Sequence, residues 1–281
     1  MKTRRWASVC SCHVLFTLFV GSLASGLAGL TSTAVAADAS EAKPPHVVFV
    51  IGEREYYTHE TLPAFHESEL ARRGVRATWV HANPDNPHDF PGLEALETAD
   101  LLVVSVRRRG LSTEQLARIR SYLEKGGALV AIRTTSHAFA PRPALENRAR
   151  WEDFDTEVLG HKYLGHYNNK PPEGPPTFVR VAEKAAAHPI LAGVRAENLR
   201  VWSHLYKVRS LPPAATPLMV GTLGGQAAVV EPVALTHSYH GGRVFYTSLG
   251  SPLDFEFAFF RQLLVNAVFW ALERSVPAVA E

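Results

Sequence analysis

The chain has 281 residues, 46% hydrophobic and 20% charged, with 29 Lys and Arg against 27 Asp and Glu. That length supports an ordinary hydrophobic core, and the near-balance of charge gives no electrostatic basis for binding nucleic acid or an acidic membrane. Both cysteines, Cys10 and Cys12, lie near the start, so thiol chemistry is excluded from everything beyond them.

Lys2, Arg4 and Arg5 precede an apolar stretch from Val14 to Val20, which thins out with Gly and Ser towards Leu30. Ala34-Val35-Ala36 then offers the small-x-small pattern of a cleavage site. The pattern predicts a signal peptide over 1–36 and export to the periplasm or the extracellular space. Its apolar part is too short and too interrupted for the ~20 residues of a spanning helix, so no membrane attachment is expected after cleavage. Arg4-Arg5 leaves the export route open. Removal of 1–36 leaves 245 residues carrying 26 basic and 27 acidic side chains. Residues 37–45 read as a linker, 46–274 as one α/β domain and 275–281 as a tail.

His46–Ile51 is a continuous apolar run, the signature of a strand buried on both faces. A helix is predicted from Thr61 to Arg73, with Leu62, Phe65 and Leu70 at helical spacing and Gly74 closing it. Strands follow over Arg76–His81 and Asp100–Val106. Ser112 and Gln115 form a capping-box pattern ahead of Leu116, Ile119 and Leu123, and Ala128–Arg133 is a fourth buried strand. This rhythm predicts right-handed crossovers and a doubly wound, mostly parallel sheet. Residues 134–176 break the pattern with His, Tyr, Asn and Pro, and a loop this long in a compact domain is commonly functional. Beyond it, strands are expected over Phe178–Val181, Val201–Val208, Leu218–Gly221, Ala227–Val230, Val233–His237 and Val244–Ser248. Gly224-Gly225 and Gly241-Gly242 mark turns. A broadly apolar helix from Phe255 to about Arg274 completes the domain.

Ligands of an open parallel sheet bind outside the carboxyl ends of its strands. That rule gathers Glu53, Tyr56 and Tyr57 after the first strand, Arg107-Arg108-Arg109 after the third, and Arg133 and His137 after the fourth. His161, His166, Tyr167 and Asn168 come from the long loop, and His237 and Asp254 from the later elements. Each has a plainer explanation: Glu53 as the partner of a rim arginine, His137 as a backbone cap, the arginine triplet as a solvated turn, His237 as a solvent-facing strand residue. Asp254 fits a helix N-cap equally well. No P-loop, dinucleotide fingerprint, G-x-S-x-G elbow or H-E-x-x-H motif is present.

Four stretches nevertheless resemble one family in order. They are Gly127–His137 with Ala-Phe after it; Leu159-Gly-His161 through Gly165-His-Tyr-Asn168; His188-Pro-Ile-Leu-Ala-Gly193; and Gly242–Gly250 through Phe260–Trp270. Together they resemble the ThuA-like (trehalose-utilisation) family. The resemblance implies a flavodoxin-like sheet similar to class I glutamine amidotransferases, with extra β strands in the C-terminal half, and a loose link to carbohydrate metabolism. In that superfamily a nucleophilic cysteine follows a central strand; here the corresponding turn reads Arg133–Thr135, so glutamine hydrolysis through a thioester is excluded. Two departures stand out: Gly250-Ser251-Pro252 where the family often has Gly-His-Pro, and Lys170 where a second histidine is common.

The leading expectation is a small-molecule carbohydrate ligand near Glu53, Arg133, His137 and His166. His137 or His166 would handle protons with Glu53 as carboxylate partner, and Arg133 would hold an oxyanion, in hydrolysis or elimination of a glycoside or modified sugar. Tyr56, Tyr57 and Tyr167 would pack on sugar rings, with Asn168, His237 and Asp254 as further polar contacts. Two alternatives stay open: a non-catalytic binding module, and a divalent-metal hydrolase built on His137, His161 and His166.

Overall fold

The computed structural model describes residues 43–277 except 170, 171, 173 and 210. The signal-peptide assignment and most of the linker therefore lie outside the described residues. The elements are β1 (His46–Gly52), α1 (Thr58–Phe65), β2 (Arg76–His81), β3 (Leu101–Val106), α2 (Thr113–Glu124), β4 (Ala128–Ile132), α3 (Phe154–Glu157) and β5 (Lys162–His166). They continue with β6 (Thr177–Val181), β7 (Leu199–Val201), β8 (Tyr206–Arg209), β9 (Thr216–Leu223), β10 (Gln226–Tyr239), β11 (Gly242–Thr247) and α4 (Ala258–Ala271).

Among the described residues one nine-stranded sheet runs β2-β1-β3-β4-β11-β10-β9-β6-β7. The first five strands in that order are parallel, and β10, β9, β6 and β7 extend the sheet in antiparallel pairs. All seven residues of β1 are buried, and their alternation shows why. Val47, Phe49 and Ile51 pack with Leu62, Phe65 and the α4 side chains on one face. Val48 and Val50 pack with Leu116, Ile119 and Leu123 of α2 on the other. A strand with helices on both faces needs an unbroken apolar sequence. The chain moves outward from β1 to β2 and then crosses back to β3, which opens a crevice at the carboxyl ends of these strands.

Ser112 caps α2 by accepting a bond from the Gln115 N–H at 3.1 Å. The Gln115 amide does not return to Ser112; it donates to Asp89 and to the Phe90 carbonyl, so the capping box is half used. The first helix begins at Thr58 rather than Thr61 and passes into a wider turn over His66–Leu70 and a tighter one over Ala71–Arg73 before Gly74 ends it. The expected strand over Val201–Val208 is two strands, β7 and β8, because β8 leaves the main sheet to pair with β5. The two short strands expected around Pro232 are one, β10, with register shifts between Gln226 and Val230 and between Pro232 and Ala234. The last helix is shorter than Phe255–Arg274, since Pro252–Glu256 forms a separate tight turn before it.

The turn between β10 and β11 sits directly against the end of α2. A Cβ on Gly242 would lie 2.6 Å from the Gly126 carbonyl oxygen and 2.7 Å from that of Gly127. Both obstacles are backbone and cannot rotate away. Gly242→Ala is therefore expected to destabilise the protein by about 1–3 kcal/mol, read as a lower midpoint in urea unfolding.

Candidate functional site

The site is built on the turn after β4. Arg133 has φ 54°, a left-handed conformation that few L-residues adopt. The tight turn Arg133–His137 is pinned there by three contacts. The Thr135 hydroxyl donates to the Val104 carbonyl at 2.8 Å and the Ile132 carbonyl at 2.7 Å, and the Tyr246 hydroxyl donates to the Arg133 carbonyl at 3.0 Å. The turn after β4 is thus a strained elbow carrying an arginine.

The Arg133 side chain is fully buried. Its Nη1 donates to the Ser248 carbonyl at 2.6 Å, while Nε and Nη2 meet no acceptor among the described residues. The Tyr56 ring roofs the guanidinium at 3.9 Å, and Tyr206 lies beside it at 5.3 Å. Asp254 adds a favourable charge to this neighbourhood without an ion pair. A buried guanidinium with two idle nitrogens is costly unless an acceptor arrives.

His137 closes the same turn. Its ring stacks on Tyr163 of β5 at 4.6 Å, and its Nδ1 faces the Ser136 hydroxyl at 3.1 Å. The arginine turn after β3 packs against it through backbone: the Arg108 N–H donates to the His137 carbonyl and the Arg109 N–H to that of Ala138. Burial, then Arg108, Arg107, Arg142 and Arg133, push the His137 imidazole down to about 3. It is neutral at physiological pH, with one ring nitrogen donating and the other able to accept. Burial holds the Tyr163 and Tyr206 phenols protonated well into the alkaline range.

Glu53 is buried at the crevice, but both carboxylate oxygens are committed. One accepts from the Tyr56 N–H at 2.7 Å, the other from the Thr58 N–H at 2.9 Å and from the Thr58 hydroxyl. It anchors the start of α1 and sets the position of the Tyr56 roof. Tyr57 is exposed next to it and stacks on His59. Asp254 is more heavily used: it accepts from the Trp202, Gly250 and Ser251 N–H groups and from the Ser203 hydroxyl. It sits third in the Pro252–Glu256 turn and accepts from the N–H of Ser251, the residue that caps that turn, while the final helix follows Phe257 instead of an Asp254 cap.

The long loop returns as β5, which pairs antiparallel with β8 in a separate two-stranded sheet. Tyr163 reaches His137, but His166 is exposed, its Nδ1 accepting from the Asn168 N–H and its ring meeting His204. Tyr167 donates from its hydroxyl to Glu231 at 2.6 Å and fastens the end of β5 to β10, with exposed Asn168 beside it. His237 leaves the site altogether. β10 runs antiparallel to β11, so its carboxyl end points to the opposite edge, and His237 packs under Gly160. His161 is buried and stacked on Tyr246 at 4.2 Å. The imidazoles of the expected metal set therefore have three different environments, and among the described residues no group of three His, Cys, Asp or Glu is placed to hold a metal ion.

Tyr163, Tyr206 and Arg142 join the site without having been named as candidates in the sequence, and Arg108 joins it from the triplet whose plainer explanation was a solvated turn. Three arginines directly after a buried strand were the available signal. A concavity of about 660 Å³ lies beside this site at the ends of β1 and β2, lined by Glu53, Arg54, His59, His81, Asn83 and Arg109 among others.

Burial pushes His161 down to about 3 as well as His137. Both are lower in the folded protein than the ordinary 6.5, so the unfolded chain binds protons that the folded one does not. Stability is full above pH 6.5 and falls as pH drops towards 3, with uptake of about two protons on unfolding in that window. Urea unfolding at a series of pH values measures this slope.

The sequence profile of the ThuA family, described as trehalose utilisation, matches residues 47–271. The chain belongs to this family. A ThuA-like protein from Parabacteroides merdae superposes with a TM-score of 0.62 at 14% identity, over 85% of this chain and 94% of that one. One from Bacteroides uniformis gives 0.57 at 16% identity, over 82% and 93%. The β-galactosidase of Rahnella sp. R3 gives 0.53 at 14% identity over 83% of this chain, which spans only 32% of that enzyme. No curated protein matches the chain by sequence. At these identities the likeness is one of fold. Within the ThuA fold, Ser251 stands where the resemblance places a histidine, and its N–H donates to Ser203 and Asp254.

Proposed function

We propose that this ThuA-family protein is exported and binds a carbohydrate in the crevice between Tyr56, Arg133, His137, Tyr163 and Tyr206. The observation that carries the reading is the buried Arg133 guanidinium, with two unmatched nitrogens, set beside a neutral imidazole and aromatic rings. Sugar hydroxyls offer the acceptors that Arg133 lacks and the donors that a neutral His137 accepts, and sugar C–H faces pack on tyrosine rings. Among the fold neighbours a β-galactosidase is in keeping with this reading. Residues 1–36 support export, which is checked by the N-terminus of the secreted protein: a start near Ala37 is expected, and an uncleaved cytoplasmic chain overturns it.

In a chemical step His137 accepts a proton from water or from a sugar carbon next to a carbonyl, and Arg133 stabilises the hydroxide or enolate oxygen that this leaves. The glycosidic C–O bond then breaks by attack of the hydroxide or by elimination, and the departing oxygen takes its proton back from His137. A second reading, a binding module without chemistry, is favoured by one observation: the carboxylates of Glu53 and Asp254 are engaged in structural bonds at both oxygens, and neither is bonded to His137. Thermal melting with a panel of glycosides, followed by product analysis, separates the two. A sugar that raises the melting temperature is expected, with affinity falling about tenfold in His137→Ala. Release of product by the wild type assigns the enzyme, and binding without turnover assigns the module. A stable, cooperatively melting protein that no sugar shifts overturns both.

A further inference from the structure

The crevice holds far more positive charge than its own residues balance. Four guanidiniums, of Arg108, Arg107, Arg142 and Arg133, act on the His137 ring. Arg107 is neutralised by Glu55 at 2.8 Å. Among the described residues Arg108, Arg133 and Arg142 have no carboxylate within ion-pair distance, and Arg108 Nη1, Arg133 Nε and Arg133 Nη2 are buried without an acceptor. Asp254 acts on Arg133 from within its own ring of four donors, three on Oδ2 and one on Oδ1, and makes no ion pair with it. The other groups facing this space are the phenols of Tyr56, Tyr163 and Tyr206 and the Glu53 carboxylate, which is held by Tyr56 and Thr58 and acts on Arg109 rather than on these three arginines.

Backbone geometry makes the excess deliberate. Arg108 and Arg133 both have positive φ, 52° and 54°. The two turns that carry them are joined by the bonds from the Arg108 and Arg109 N–H groups to the His137 and Ala138 carbonyls. Strained backbone that gathers cations at a strand edge is a feature of sites, not of solvated turns. Like charges brought together in a half-buried crevice repel, and an anion is the group that relieves them.

We propose that the ligand is an acidic sugar, bearing a carboxylate, sulfate or phosphate substituent that Arg108, Arg133 and Arg142 grip while its ring lies against Tyr163 and Tyr56. This rests on the carbohydrate reading of the same crevice. Arginine forks match such oxyanions with two parallel bonds, which a neutral hydroxyl cannot accept as strongly.

The test is titration calorimetry on the exported form of the protein with matched pairs: glucose and glucuronate, galactose and galacturonate, mannose and mannuronate. Glucose 6-phosphate, glucose 6-sulfate, inorganic phosphate and inorganic sulfate complete the set. At least one acidic sugar is expected to bind about tenfold or more tighter than its neutral counterpart, and to weaken as salt is raised. Whether the uronates or the 6-esters show the preference tells carboxylate from ester. Arg108→Asn, which tolerates the left-handed backbone, and Arg142→Gln are each expected to cut that preference about tenfold with an unchanged melting temperature. Neutral sugars binding as tightly as acidic ones overturn the inference and leave the carbohydrate reading standing. Inorganic phosphate or sulfate binding as tightly as any sugar overturns both, as does binding of no compound.

Discussion

Asp254→Ala is expected to destabilise this protein by about 3–5 kcal/mol, the cost of removing a buried charge whose partners stay behind. The Asp254 carboxylate is fully buried and accepts four bonds from Trp202, Ser203, Gly250 and Ser251. These donors come from two distant stretches, the loop between β7 and β8 and the turn between β11 and α4. Alanine leaves the Trp202 and Gly250 N–H groups and the Ser203 hydroxyl without an acceptor in a dry place, the Ser251 N–H keeping Ser203, and each such group costs about 1–3 kcal/mol. Asp254→Asn keeps the shape and part of the acceptance and is expected to lose less. Urea unfolding of the three proteins checks the order. A near-neutral Asp254→Ala would mean that the loop and turn hold together without their shared acceptor.

Arg133→Met is expected to do the opposite. Methionine fills much of the stem's volume under Tyr56 and removes a cation that has a single hydrogen bond in the folded protein. Replacing a poorly paired buried charge by an apolar side chain is commonly neutral or stabilising, so unfolding free energy is expected within about 1 kcal/mol of the wild type, or above it. Binding is another matter. Losing two bonds from a charged donor at about 1.5–3 kcal/mol each lowers affinity about 100-fold or more. Arg133→Lys retains charge without the fork and is expected to fall between. A variant that unfolds easily but binds normally would make Arg133 a structural residue. The opposite signs for Asp254 and Arg133 separate a polar residue that serves the fold from one that the fold supports for a ligand.

Much of this was legible in the sequence, and the parts that were not share a cause. β1, β3 and β4 could be read because central strands of a parallel sheet are apolar on both faces, and edge strand β2 by its place in the rhythm. Arg133 stood out as a charge ending such a strand, and His137 followed from its place in the next turn. His237 was misplaced because strand direction is a tertiary property: the run Val233–His237 reads the same whether its carboxyl end meets the ligand edge or the opposite one. Glu53 looked like a free carboxylate, since nothing local announces that the backbone of Tyr56 and the hydroxyl of Thr58 turn back to it. Tyr206 was hidden inside what read as one strand, and only the pairing of β8 with β5 brings it over Arg133.

The central claim, that the ligand sits against Arg133 and His137, is tested most directly by histidine-selective NMR during titration with a sugar that raises the melting temperature. The account predicts that the His137 ring resonances move with saturation while those of buried His161 and of His237 stay in place. Movement confined to His59 and His81 would put the ligand in the neighbouring concavity at the ends of β1 and β2 and contradict the account.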